Sequence, residues 1–223
     1  MTDTIAMRPI GVIRSPFRAT QGMPIQTVAA AGIEGELEVF EAFAEGLRDI
    51  EGFEYLILLT HLHQAVEKLE VVPFMDTASH GVFATRAPAR PNRIGLSIVR
   101  LLAVQGRVLR FAGNDMLDGT PVLDIKPYIP FVESVPDAWN RIAEQPPALL
   151  PVDWQPAALA SAREHARRLQ EPLVELIEQC LAQDPKPAYQ QPEPSRQYGA
   201  RLHDVNVVWC YPEAGRVLVL LVE

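Results

Sequence analysis

A run of short apolar segments, interrupted by Gly and Pro between residues 7 and 131, constrains the fold of this chain most strongly. Only residues 41–49 in this half have the spacing of a helix, and no alternation of strand, helix and strand is present. Many short strands with short connections predict a closed barrel or a sandwich, because open sheet edges attract other chains. We therefore expect a mainly β protein whose N-terminal domain is a closed or nearly closed β-barrel.

Five segments give the clearest strand predictions. Residues 33–39 alternate apolar residues with three glutamates, which predicts a half-buried strand with an acidic outer face. Residues 53–62 are almost continuously apolar, which predicts a central strand buried on both faces. Residues 97–104 and 107–112 flank a predicted hairpin turn at Gln105-Gly106, and residues 122–129 alternate again.

Prolines mark a change of composition after the strand-rich half. Five of them between residues 136 and 156 predict a connector, since Pro does not continue regular structure. Beyond it, residues 157–168 and 173–182 predict two helices, and residues 199–211 and 216–222 predict a final hairpin. The expected organisation is a β-barrel domain of residues 1–135, a proline-rich connector of residues 136–156 and a small α+β C-terminal module of residues 157–223.

Composition narrows the class of protein. A net charge of −8 argues against a nonspecific grip on a long phosphate backbone. The first residues lack a basic segment followed by an apolar one, and no apolar run approaches the roughly 18 residues of a membrane span. We expect a cytoplasmic protein without a membrane partner. Cys180 and Cys210 are far apart in the sequence, which favours two buried thiols over a disulfide framework or a zinc site.

Positive charge is concentrated in the middle of the chain. Residues 86–110 contain six arginines and no Asp or Glu. Such segregation can give an acidic protein a local basic surface. Alternatively, Arg100, Arg107 and Arg110 lie scattered on the outside of the predicted hairpin.

Polar residues are unusually dense between residues 81 and 128, where a buried side chain without a partner would cost free energy. Pro91 favours an extended Arg90, and Asn92 tolerates left-handed geometry, which predicts a stiff loop presenting Arg86, Arg90 and Asn92. Such a loop suits ligand recognition; the alternative is a tight connector whose Arg pairs with a strand carboxylate. Metal, phosphate-loop and nucleophile motifs are missing from the sequence.

Two further groups of polar residues are candidates. Asp115 and Asp118 lie at a predicted turn, where carboxylates can accept hydrogen bonds from a ligand. Asp124 and Lys126 either join them or form a structural ion pair. His61 and His63 are two apart on a predicted strand and would share a face, but no third metal ligand is evident. We predict no metal site and place His63 and Gln64 on the polar rim of a pocket; the alternative for His63 is a hydrogen-bonded histidine at the strand end.

Several segments resemble the TsaA/TrmO family. They are residues 10–17, 81–86, 90–92, 94–95 and 117–128, and in the C-terminal module residues 181–189, 202–204 and 207–209. The resemblance implies a β-barrel, S-adenosylmethionine-dependent methyltransferase that forms homodimers. It further implies methylation of N6 of the threonylcarbamoyl-modified adenosine next to the anticodon in tRNA.

The same resemblance suggests which residues form the site. Those expected to bind the cofactor are Pro24, Ile25, Gln26, His63, Gln64, Arg86, Leu96, Asp115, Met116, Leu117, Asp118 and Gly119. At Ile25 the sequence departs from the family pattern, which often has Arg there. Arg86, Arg90 and Asn92 are the expected catalytic residues, and they position cofactor or substrate because the methyl donor is already activated.

The predicted partner is the anticodon arm of tRNA. Lys186, Tyr189, Arg196 and Arg201 are candidate contacts in the C-terminal module. Tyr189 can stack on a base or, alternatively, anchor the proline-rich turn. A competing hypothesis is a non-catalytic module that binds an adenosylmethionine-like small molecule.

Overall fold

The computed structural model describes residues 5–24, 30–73, 76–139, 148–186, 190, 193 and 195–223. Its strands are β1 (Gly11–Arg14), β2 (Glu34–Val39), β3 (Tyr55–His61), β4 (Glu70–Val71), β5 (His80–Gly81), β6 (Ile94–Gln105), β7 (Val108–Ala112), β8 (Pro121–Pro127), β9 (Val152–Trp154), β10 (Tyr198–Leu202), β11 (Val205–Glu213) and β12 (Arg216–Val222). Its α-helices are α1 (Pro130–Glu133), α2 (Pro156–Leu169) and α3 (Leu173–Ala182). Short 3₁₀ helices cover Glu41–Leu47, Ile50–Gly52 and Val82–Ala84.

Six of these strands form a closed barrel in the order β1-β2-β7-β6-β3-β8, with antiparallel neighbours throughout. The mainly β prediction is confirmed. On β2, Gly35, Leu37 and Val39 are buried and the glutamates face outward, as the alternation predicted. β3 lies between β6 and β8, the central position expected for the apolar run, but its predicted burial on both faces is incomplete because Tyr55 is exposed and Leu59 is half-buried. Inward side chains such as Ile13, Leu58 and Phe111 fill the barrel core.

The β6–β7 hairpin differs slightly from its prediction. β6 begins at Ile94 and continues through Gln105, so the turn falls on Gly106-Arg107 instead of Gln105-Gly106. Gly106 has a φ of +61°, which a residue without a Cβ adopts at little cost.

The C-terminal module contains a four-stranded sheet in the order β10-β11-β12-β9, covered by α2 and α3. α3 matches its predicted bounds, and α2 is one residue longer at each end than its predicted range. The single strand predicted over residues 199–211 is wrong: it is divided into β10 and β11 by a turn in which His203 has a φ of +53°. β9 lies within the predicted connector and pairs in parallel with β12.

The barrel and the module share a second core. Phe17, Ala30, Ile33 and Leu117 from the N-terminal half are buried there among side chains of α2, α3 and the four-stranded sheet. A β-bridge joins Phe17 to Leu202, and the backbone N–H of His203 donates to the carbonyl of Pro16 at 2.6 Å. The module is thus docked on the chain segment that follows β1.

Charges on the barrel exterior are largely paired. Arg100, Arg107 and Arg110 form ion pairs with Glu54, Glu41 and Glu34 at 3.3, 2.8 and 3.5 Å respectively. The alternative that placed these three arginines on the hairpin exterior therefore describes them correctly. Asp124 and Lys126 form the structural ion pair considered above, at 2.8 Å.

Both cysteines are buried free thiols, as expected. Burial raises the pKa of the Cys180 thiol to about 12. In the described part of the chain, none of the helices is long and apolar enough to cross a bilayer.

Candidate functional site

Three connections meet at one end of the barrel, where β1, β3 and β7 end and β2, β6 and β8 begin. They are residues 15–33, 62–93 and 113–120, and we call this end the mouth. The predicted cofactor residues all belong to these connections, except Leu96 at the start of β6. Pro24 is buried in the first connection, whereas Ile25 and Gln26 lie outside the described residues. Topology thus brings together segments that are far apart in the sequence.

The Arg90-Pro91-Asn92 loop is held by its own backbone. The N–H of Arg93 donates to the carbonyl of Arg90 at 3.1 Å, which closes a tight turn. Arg93, with a φ of +49°, occupies the left-handed position expected for Asn92. Asn92 is exposed at the tip of this turn.

Arg86 and Arg90 donate to carbonyl oxygens instead of carboxylates. Arg86 Nη2 reaches the carbonyl of Leu96 at 3.2 Å, and Arg90 Nη1 reaches those of Thr85 and Ala87 at 3.3 and 3.1 Å. Among the described residues neither guanidinium forms an ion pair, so a connector with an Arg paired to a strand carboxylate is not observed. The positive charge of both side chains is available to an anionic group.

His63 and Gln64 occupy a turn and not a strand. β3 ends at His61, and the N–H of Ala65 donates to the carbonyl of Leu62 at 2.9 Å. The expectation that His61 and His63 share a strand face is therefore wrong, since the strand period does not extend to His63. Within the described ranges, no three His, Cys, Asp or Glu side chains are grouped so that they could hold a metal ion.

The third connection is fixed by a buried polar network that the sequence did not reveal. Asn114 is fully buried and donates from Nδ2 to Ser15 Oγ at 2.8 Å, while its Oδ1 accepts from the N–H of Met116 at 3.2 Å. Ser15 Oγ in turn donates to the carbonyl of Met116 at 2.7 Å. A Cβ on Gly35 would lie 2.9 Å from Asn114 Cγ, which explains a glycine inside β2.

This network determines what the third connection can offer a ligand. The side chains of Met116 and Leu117 are buried in the two cores, so only their backbone can face the mouth. Asp115 Oδ1 accepts a hydrogen bond from Ser97 Oγ at 2.7 Å. The carboxylate of Asp118 accepts from the N–H of Ser15 at 3.1 Å through Oδ1 and pairs with Arg18 through Oδ2, so both of its oxygens are engaged.

The residues at the mouth fit a zwitterionic nucleoside such as S-adenosylmethionine. Arg86 supplies a cation for a carboxylate, Asp115 an anion for an ammonium group, and the exposed Leu96 an apolar surface. Thr60, next to Gly95 across the β3–β6 pair, has a fully buried hydroxyl that finds no hydrogen-bond partner among the described residues. An unsatisfied hydroxyl near the mouth is compatible with a polar ligand or an ordered water.

Two shallow depressions on the described surface lie at the opposite end of the barrel from the mouth. The larger one is lined by residues that include Leu47, Asp49 and Gly106. The 3₁₀ helices after β2 and the β6–β7 turn form it, far along the strands from the mouth. It brings together none of the predicted site residues.

The candidate tRNA contacts differ in accessibility. Lys186 is only 10% exposed, pairs with Asp184 at 2.9 Å and lies over the ring of Tyr211. Burial also raises the pKa of Tyr211. Arg196 and Arg201 are exposed, and Arg196 stacks over Tyr198. Tyr189 lies outside the described residues. Lys186 therefore stabilises the module and does not present its charge to solvent.

Comparison with known proteins assigns the chain to a family. A family model described as the tRNA-methyltransferase O N-terminal domain matches residues 12–134, and one described as the TrmO C-terminal domain matches residues 147–223. The chain belongs to the tRNA-methyltransferase O family. The resemblance found in the sequence is thereby confirmed.

Individual relatives of the tRNA-methyltransferase O family extend over nearly the whole chain. One from Pseudomonas aeruginosa, provisionally named as an S-adenosylmethionine-dependent methyltransferase, RcsF, is 48% identical over 224 residues and 97% of each chain. One from Escherichia coli, named tRNA (adenine(37)-N6)-methyltransferase, is 38% identical and covers 92% of this chain and 93% of its own. A crystal structure of TrmO from Pseudomonas aeruginosa has a TM-score of 0.85 at 44% identity and covers 99% of this chain and all of its own. The prediction of an S-adenosylmethionine-dependent methyltransferase is confirmed at the level of the family.

Proposed function

We propose that this protein methylates N6 of adenosine 37 in tRNA, with S-adenosylmethionine as methyl donor and the threonylcarbamoyl-modified adenosine as substrate. The observation that carries the proposal is the match of both family models together with the Escherichia coli relative named for this reaction. Geometry at the mouth supports it, because three connections converge on a group of donors and acceptors suited to the cofactor.

For the cofactor we propose contacts from each connection. Arg86 is assigned to the carboxylate, since its guanidinium is exposed and its hydrogen-bond partner among the described residues is a carbonyl. Asp115 is assigned to the ammonium or adenine amine. The backbone of residues 116–119 and the side chains of Pro24, His63, Gln64 and Leu96 complete the set. The carboxylate of Asp118 is already engaged by Ser15 and Arg18, so we propose that it holds its own turn in place. For Ile25 and Gln26 we propose cofactor binding, the role that the resemblance suggests.

For catalysis we propose that alignment is the main contribution of the protein. When bound, the cofactor supplies a methyl group already activated on a sulfonium. Arg90 rigidifies the loop through two carbonyl contacts, and the exposed Asn92 at its tip is free to orient the substrate adenosine. Holding the acceptor nitrogen in line with the methyl group accounts for most of the rate without a strong general base.

For the tRNA we propose that the module of residues 157–223 grips the anticodon arm, with residues 1–135 as the cofactor domain and residues 136–156 as the connector. Arg196 and Arg201 are the supported contacts, because both are exposed and neither is in an ion pair among the described residues. An overall charge of −8 makes such local cations necessary. A role in tRNA modification is also the reason to propose a cytoplasmic location.

We further propose a homodimer that uses the outer face of the β3–β6 pair. Ile94, Leu96 and Ile98 are exposed in a row along β6, alternating with the half-buried Gly95 and the buried Ser97. Tyr55 continues this apolar face on β3, close to Tyr128. A contiguous apolar face of this kind is typical of an interaction surface.

The function can be tested by methyl transfer from labelled cofactor to total tRNA of a strain that lacks the protein. We expect label in one nucleoside, identified by mass spectrometry after digestion as the N6-methylated, threonylcarbamoyl-modified adenosine. Transfer to tRNA without the threonylcarbamoyl group would refute the proposed substrate. Binding of the cofactor without any transfer would refute the enzyme and favour the binding module, the second candidate, which the acidic charge supports.

Site assignments need a separate comparison. Arg86→Ala and Asn92→Ala should each lower kcat/KM, whereas Arg110→Ala, on the barrel exterior, should not. Removing a positioning contact costs roughly tenfold to a hundredfold in rate when alignment dominates. Full activity of Arg86→Ala and Asn92→Ala would show that the loop is structural.

A further inference from the structure

The β1–β2 connection, which carries Pro24, is anchored in the C-terminal module. Phe17 and Ala30 are completely buried, and Ile33 nearly so, in the core that α2, α3 and the four-stranded sheet provide. The barrel core is built separately, from the inward faces of the barrel strands, Leu47 and Met116. Because large buried side chains fix the path of a loop, packing against the module holds the described parts of this connection, residues 15–24 and 30–33, in place.

A glycine marks the closest approach between the connection and the module. Gly22, two residues before Pro24, has a φ of +76°, and a Cβ built on it would lie 2.5 Å from the Cβ of Ala200 on β10. No real pair of Cβ atoms comes this close, so any other residue would push the turn away from the sheet. Pro24, which is predicted to contact the cofactor, is held close to this contact.

The β7–β8 connection is tied to the same module. Leu117 is buried in the shared core, and the N–H of Asp118 donates to the carbonyl of Phe17 at 2.8 Å. Ser15 and Arg18 both contact the carboxylate of Asp118. Phe17 itself is bridged to Leu202 of the module. A continuous set of contacts therefore runs from β10 through Phe17 to the Asp118 turn.

We propose that the C-terminal module positions the cofactor site, with Gly22 and Ala200 as positioning residues for the binding of S-adenosylmethionine. This inference rests on the proposed function, which places the cofactor at the mouth, and it adds a second role for a module otherwise assigned to tRNA. Since two of the three mouth connections are held by the module, a shift of the module changes their distance from the third. Ligands at the module and at the mouth are then energetically coupled, and each changes the affinity of the other equally.

A larger side chain at Ala200, on the module side of the contact, tests the proposal in the entire chain. Ala200→Val should weaken binding of S-adenosylhomocysteine, measured by calorimetry, by about tenfold, equivalent to ~1.4 kcal/mol. The matched control is Ala162→Val, because Ala162 is fully buried in the same core but lies on α2, which packs mainly on β12 and α3 and not on β10, the strand of Ala200. Its dissociation constant should stay within about twofold of the wild-type value, as is usual for independent sites. Equal weakening by the two variants, compared well below both melting temperatures, would overturn the proposal.

A rescue experiment separates positioning from general destabilisation. Gly22→Ala should weaken binding, and the double variant Gly22→Ala with Ala200→Gly should recover part of the affinity, because it removes the overlap but not the strained backbone. Absence of recovery would contradict the proposed contact.

Neither binding readout requires methyl transfer, so the two proposals fail separately. If the wild-type protein binds the cofactor but methylates no tRNA, the proposed activity fails and the positioning role remains. If the wild-type protein binds no cofactor, both fail.

Discussion

Asn114 is completely buried, yet its side-chain amide makes three hydrogen bonds, to Ser15, Met116 and the carbonyl of Glu34. Removing the amide would leave these buried groups without a hydrogen bond, which costs free energy of folding. Asp118 is similarly engaged, through Ser15 and Arg18. At the mouth, therefore, some polar residues shape the site and others are left to meet the ligand.

The free energy of unfolding of Asn114→Ala should distinguish residues that hold the mouth in shape from residues that meet the ligand. We expect a loss of about 1–3 kcal/mol in the free energy of unfolding, measured in urea, because Ser15 Oγ and the N–H of Met116 lose their partner in a buried place. Asn92→Ala is the matched comparison, since this asparagine is exposed at the same end of the barrel. It should change stability by less than about 0.5 kcal/mol. Equal stability losses in the two variants would contradict the roles assigned here.

At the scale of elements, the spacing of apolar residues predicted the strands and helices that pack against a core. The alternation of β2, the central β3, and α2 and α3 to within a residue all follow from residues that pack one face into a core. The strand break at His203 was missed because a left-handed non-glycine residue is stabilised by its contact with Pro16, 187 positions earlier in the chain. β9 was missed because three residues are too short to show a period.

The candidate site could also be predicted in part from the sequence. Residue types and turn chemistry identified the Arg86 to Asn92 loop and the Asp115 to Gly119 turn as candidates. Their partners could not be identified, because Ser15 and Ser97 are contributed by distant strands or loops and have no distinctive pattern. A Gly-Asn pair directly after an apolar strand was the one available signal for Asn114. Identifying the ligand required the family resemblance.

An ion pair between elements gives a prediction about acid stability. Arg168 at the end of α2 donates two hydrogen bonds, at 2.8 and 2.7 Å, to Asp204 in the β10–β11 turn. The hydrogen bonds from Arg168 lower the pKa of Asp204 from 3.8 to about 2. Because the folded-state pKa is depressed, this stabilisation is present above the ordinary value and is lost as the pH falls through the folded value. Protonation of Asp204 thus weakens the attachment of α2 to the sheet.

Melting temperatures measured between pH 5 and pH 2 should reveal this pair, because wild-type stability falls over the span between the two pKa values (about 4 to 2). Asp204→Asn should have a shallower pH dependence, since the titrating carboxyl is gone. Asp137→Asn is the control, because Asp137 is exposed and has no ion pair among the described residues. It should follow the wild-type curve. An unchanged slope in Asp204→Asn would show that other carboxyls govern acid unfolding.

At the scale of the whole molecule, the two hydrophobic cores have different structural roles. The barrel core holds the strands together, and the second core joins the module to the connections at the mouth. Ion pairs of Arg107 and Arg110 cover part of the barrel exterior, while Ile94, Leu96 and Ile98 on the outer face of β6 are exposed and apolar. A second copy of the chain is the occupant that we propose for this exposed apolar face.

Ile98→Lys should convert the proposed dimer to a monomer. Ile98 is 37% exposed, so a lysine there is tolerated by the monomer, but in the dimer its ammonium group would be buried without a partner. Burial of one unpaired charge costs several kcal/mol, which raises the dimer dissociation constant by roughly a hundredfold or more. Sedimentation velocity measures this directly. Leu221→Lys is the matched control, since Leu221 is 43% exposed on β12, in the other sheet, and should leave the dimer intact. A monomeric wild type, or equal dissociation of the two variants, would exclude this face as the interface.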